Sequence, residues 1–134
     1  MFPKIRLLFV GAPSKATIEH QKLLATESLP ISGSFEATVE QAVTYLNSCS
    51  QEYFPDVILL DEKLGELELD SFFQSYRQYF YMHQLDTLLF IHGSEISEAD
   101  IITQYPQIAG YLSQPLSKFV FLKEIYSKIS FTMM

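Results

Sequence analysis

Apolar residues in this chain come in short dense runs, separated by stretches in which they recur every three or four positions. The run Ile5–Val10 is interrupted only by Arg6, and the runs at 57–60 and 88–91 are unbroken. Continuous runs of this kind, rather than strict alternation, suit central parallel strands covered on both faces. Ile31, Gly33 and Phe35 alternate with Ser32 and Ser34, the pattern of a half-exposed edge strand. A shorter run at 108–112 predicts the last strand.

Helical spacing fills the gaps. Thr38 and Gln41 form a capping-box pair, followed by Val39, Ala42, Val43 and Leu46 on one face. Leu69, Phe72, Phe73, Tyr76 and Phe80 repeat the spacing after the third strand. The stretch between Ser14 and Ser28 predicts a less clearly amphipathic helix. A short one is expected near 97–105, with Ser97 as its cap and Pro106 just beyond it. Ser117 is placed to cap a final helix whose inner face is Phe121, Leu122, Ile125 and Ile129. Strand and helix thus alternate five times. Crossovers of this length demand parallel strands with right-handed connections. The expected architecture is a single α/β domain over residues 1–134: a doubly wound (βα)5 sheet in three layers. Its functional edge should lie at the carboxyl ends of the strands, in the loops after Val10, Leu60, Ile91 and Leu112.

Charge narrows the partners. With 9 Lys and Arg against 16 Asp and Glu, the net charge is −7. No basic stripe is present to neutralise phosphates, so neither nucleic acid nor an anionic membrane surface is an expected partner. Cys49 is the only cysteine, which excludes an intramolecular disulfide and a Cys-based zinc site. The apolar run at 7–10 is too short for a signal-peptide core, and the expected location is the cytoplasm.

At the strand-end loops the chain resembles the CheY-like receiver domains of bacterial response regulators. The segment Pro55-Asp56-Val57-Ile58-Leu59-Leu60-Asp61 is similar to the family's third strand, which ends in the phosphoacceptor aspartate. Tyr111-Leu112-Ser113-Gln114-Pro115-Leu116 is similar to the family's Tyr-Leu-x-Lys-Pro-Phe. The resemblance spans essentially the whole chain and implies the flavodoxin-like strand order 2-1-3-4-5. It puts Asp61 at the phosphoacceptor position and Tyr111 at that of the family's switch aromatic. The other site positions depart from the family. Its Mg²⁺-holding acidic pair falls on Gly11 and Ala12, its Ser/Thr on His92 and the following small residue on Gly93. Its Lys falls on Gln114, its Pro on Gly65 and a usual Gly on Leu69.

Phosphoryl transfer to a carboxylate depends on electrostatic stabilisation, normally by a metal and a cation. Gly11 and Ala12 offer no carboxylate, and Gln114 donates a hydrogen bond without charge. Asp61 then has a structural reading, capping backbone amides of the loop that follows. His92, if protonated, would offer a cation; otherwise it is a polar strand-end residue bonded locally or to water. Its bulk puts the usual inward movement of Tyr111 in doubt. Glu62 is expected to point away from Asp61, because successive residues of an extended segment face opposite sides.

Other constellations are weaker. The turn Val10-Gly11-Ala12-Pro13-Ser14 has neither a dinucleotide fingerprint nor a P-loop. His20, His83 and His92 lack ligand spacing, and Ser14, Ser94 and Ser113 lack a nucleophile motif. Tyr79-Phe80-Tyr81-Met82 reads as packing at a helix end or as a partner-binding patch. The resulting expectation is a non-enzymatic, atypical receiver of a two-component system that works mainly as a phosphorylation-independent interaction module. No cofactor is expected, and Mg²⁺ only if Asp61 is functional. The partner would be a histidine kinase, another signalling protein or a second copy, met through the face of the fourth helix, fifth strand and fifth helix. The alternatives are a receiver phosphorylated on Asp61 by a histidine kinase and, more distantly, a ligand-binder or small enzyme on the same scaffold.

Overall fold

Five parallel strands form one sheet in the order β2-β1-β3-β4-β5. They are β1 (Ile5–Val10), β2 (Ile31–Glu36), β3 (Val57–Asp61), β4 (Leu88–Gly93) and β5 (Gly110–Ser113). This is the flavodoxin-like order expected from the sequence. The computed structural model describes residues 5–12, 31–49, 54–83, 87–93, 98–106, 108–113 and 123. The predicted helix between Ser14 and Ser28, Ser97 as a cap, the final helix except Lys123, and Gln114 lie outside the described residues. So do the side chains of Tyr79, Phe80, Tyr81 and Met82.

The central strands are buried on both faces, which is why their sequences are almost unbroken apolar runs. Leu8, Val10, Ile58, Leu60, Leu89 and Ile91 point into one core. It is completed by helices α1 (Val39–Ser48), α2 (Glu66–His83) and α3 (Glu98–Gln104), through Ala42, Leu46, Leu69, Phe72, Tyr76 and Ile101. On the other parity Leu7, Phe9, Val57, Leu59, Phe90 and His92 are equally buried. Each fully buried large apolar side chain contributes roughly 1.5–3 kcal/mol.

The cap of α1 forms as expected. The Gln41 amide donates to Thr38 Oγ1 at 3.1 Å. The reciprocal bond differs by one residue: Gln41 Oε1 accepts from the Ala37 amide, at 3.3 Å. Two strands extend beyond the apolar runs that announced them. Pairing of β3 with β4 continues through Asp61 and His92, and β4 with β5 through Gly93 and Ser113. The last strand starts at Gly110 instead of 108. Ile108 is buried, but its amide donates to the Tyr105 carbonyl at 3.2 Å, so it closes the exit from α3. No helix among the described residues is long and apolar enough to cross a membrane.

Candidate functional site

The carboxyl ends of β1, β3, β4 and β5 bring together Gly11, Asp61, Glu62, His92, Gly93 and Tyr111. The register Val10↔Leu60, Asp61↔His92 and Ile91↔Tyr111 sets this convergence.

Asp61 ends β3 and is only 3% exposed. Its Oδ1 accepts the Lys63 amide at 3.0 Å, which caps a single 3₁₀ turn over Glu62–Leu64. Gly65 closes that turn at φ 90°, ψ 162°. Essentially only glycine adopts this backbone region, and the proline that receivers usually carry here is locked near φ −65°. Opposite Asp61, the chain comes unusually close. A Cβ added to Gly11 would lie 2.8 Å from Asp61 Cβ and 3.2 Å from its Oδ2. Such distances are overlap rather than contact, so the absent side chain at 11 is what lets the Asp61 carboxyl sit where it does.

Glu62 lies on the face opposite Asp61: it meets Gly93 and Tyr111, on the parity of Ile91, whereas Asp61 pairs with His92. The chain leaves extended geometry there and forms a 3₁₀ turn over Glu62–Leu64. The side chain turns over the end of β4 and is buried. Its Oε2 accepts the Tyr111 hydroxyl at 3.1 Å. A Cβ at Gly93 would collide with Glu62 Cγ, Cδ and Oε1. The glycine thus supplies the space that Glu62 occupies. Gly93 is the hint of this in the sequence; the sequence reading named Glu62 but not its meeting with Tyr111.

His92 lies at the end of β4, as expected, and is fully buried. Its ring packs on Phe9 with centroids 4.8 Å apart, reaching across β3. Burial lowers its pKa from 6.5 to about 4, against the opposing pull of the Glu62 carboxylate. The imidazole is therefore neutral at pH 7, which removes the sequence-based idea of a His92 cation. The Tyr111 hydroxyl meets Glu62.

No protein-family model matches the chain, and no curated protein matches it. Solved structures do. The signal receiver domain of an HD domain-containing protein from Pseudomonas fluorescens matches at TM-score 0.69 and 17% identity, over 95% of each chain. A chain from the co-crystal structure of the Saccharomyces cerevisiae phosphotransfer protein Ypd1 with the receiver domain of Ssk1 matches at 0.71 and 17%. There the match covers 93% of this chain and 88% of that one. The pilus assembly protein CpaE from Caulobacter crescentus matches at 0.68 and 17%, over 92% of each. This chain has the receiver fold. The resemblance to receivers implies a divalent cation beside the position of Asp61. The residues here do not fit one. Gly11 and Ala12 carry no ligand, and Gly11 has no room for a side chain while Asp61 keeps its place. Among the described residues, no group of three or more His, Cys, Asp or Glu side chains is placed to hold a metal ion.

Proposed function

We propose that this receiver-fold domain acts in two-component signalling as a phosphorylation-independent interaction module. The observation that carries the reading is the filled crevice: Glu62 lies over Gly93, where an incoming anion would need space. Phosphoryl transfer to Asp61 would bring negative charge beside this second carboxylate, with His92 neutral and no acidic pair to recruit a metal. Asp61 instead spends one oxygen on the Lys63 amide, as a structural cap. The co-crystal structure of Ypd1 with the Ssk1 receiver domain supports a signalling protein as the kind of partner, whether a kinase, a phosphotransfer protein or another receiver. The α3–β5 side is the face offered to it, where Ile102 is 42% exposed.

Amide NMR spectra with Mg²⁺ and then beryllofluoride, an acyl-phosphate mimic, test this. The expected result is no saturable shift. Saturable shifts around Asp61, His92 and Tyr111 that vanish in Asp61→Asn would establish the competing reading, a receiver phosphorylated on Asp61.

A further inference from the structure

We propose that Glu62 is a built-in latch: its carboxylate fills the crevice at the end of β4 and holds Tyr111, tying the loop after β3 to β5 through one side chain. The inference shares with the functional reading above only the filled crevice.

Four observations converge on it. Glu62 is 6% exposed, and burying a carboxylate is costly unless hydrogen bonds compensate. The Tyr111 hydroxyl supplies such a bond, at 3.1 Å. A bond to an ionised acceptor is roughly twice as strong as a neutral one. Room for the side chain exists because residue 93 is glycine, whose Cβ would collide with Glu62. Gly93 does not lie in the left-handed region where Gly65 does, so space rather than backbone conformation calls for glycine there. Finally, strand parity puts Glu62 on the face of Ile91 and Tyr111, and the Asp61 cap on Lys63 starts the 3₁₀ turn at that point.

Two consequences follow. Tyr111 is held by a residue of the chain itself, without any phosphoryl group. An external anion must displace a like-charged, hydrogen-bonded side chain before entering the crevice.

The test uses the full chain with neither Mg²⁺ nor phosphodonor. Tyr111 ring signals, assigned with Tyr111→Phe, are followed together with hydrogen exchange of the β5 amides. Glu62→Ala and Gly93→Ala should each move the ring signals and speed β5 exchange on the order of tenfold, the change expected from losing one charge-assisted hydrogen bond. Glu62→Gln should keep the ring near its original position, because its amide oxygen still accepts. In the Glu62→Ala background, Gly93→Ala should add little, since the side chain it strikes is gone. If Gly93→Ala alone does not fold, the double variant should. The latch is refuted if Glu62→Ala leaves Tyr111 and β5 unchanged, or if Gly93→Ala is as disruptive without Glu62 as with it. A beryllofluoride response in the unmodified chain would overturn the functional reading instead, and these Tyr111 measurements would still decide the latch.

Discussion

Lowering the pH from 7 to 4 should destabilise this domain through His92. The side chain is completely buried against Phe9, and its pKa is lowered from 6.5 to about 4. In the unfolded chain the imidazole takes up a proton as pH falls through its ordinary value, whereas in the folded chain it does not until about pH 4. Protons then favour the unfolded state throughout that window. The contribution of the neutral ring is complete above about pH 6.5 and drains away on acidification. The loss is about 1 kcal/mol at pH 5.5 and roughly 3 kcal/mol at pH 4, from about 1.4 kcal/mol per pH unit between the two pKa values. Against a total stability of roughly 5–15 kcal/mol for an ordinary domain, that is a large fraction.

Urea unfolding at a series of pH values, in parallel for the unmodified chain and His92→Leu, isolates this effect. Leucine keeps an apolar side chain on Phe9 and removes the titration, while the carboxylates common to both proteins cancel in the difference. The stability difference should shift toward the variant as pH falls. The His92 C2–H signal should hold its chemical shift from pH 8 to 5. Parallel stability curves, or a His92 midpoint near 6.5, would refute the reasoning.

Two backbone-level predictions concern the glycines. Gly11→Ala should cost about 1–3 kcal/mol in urea unfolding, as overpacking generally does, because the new Cβ lands 2.8 Å from Asp61 Cβ; an unchanged midpoint would mean that β1 yields without strain. Gly65→Ala should cost about 1–3 kcal/mol, because φ 90° with ψ 162° is a glycine region. Gly65→Pro should cost more, since its ring fixes φ near −65°; equal costs would argue that the turn simply rearranges.

The parts of the fold that were legible in the sequence are those where one physical rule acts alone. Leu8, Ile58 and Leu89 lie in strands covered on both faces, so unbroken apolar runs announced them. Thr38 and Gln41 announced the start of α1, because a capping box is local chemistry. Strand ends were harder. Asp61, His92 and Gly93 are not hydrophobic, so the apolar runs ended before the hydrogen-bonded ladder did. His92 read as a polar strand-end residue, and its complete burial was not legible. Ile108 was read as strand because it is apolar and buried, although its amide serves the turn from α3. The meeting of Glu62 with Tyr111 and with the space at Gly93 was not legible, because it joins residues of three separate segments.

The departures from the receiver pattern are not independent of one another. Each of the two glycines lies against a carboxylate, Gly11 against Asp61 and Gly93 against Glu62. Residues that share space in this way do not respond additively to substitution. An aspartate restored at position 11 meets Asp61 before it can meet a metal. A side chain added at 93 would meet Glu62. Returning one position at a time to the family's residue should therefore lower stability without creating a phosphoacceptor. A working site would require Glu62 to leave the crevice, Asp61 to move away from position 11 and a ligand to appear beside it, all together. Among the described residues of the strand-end edge, Asp61 lies against Gly11 and Glu62 against Gly93.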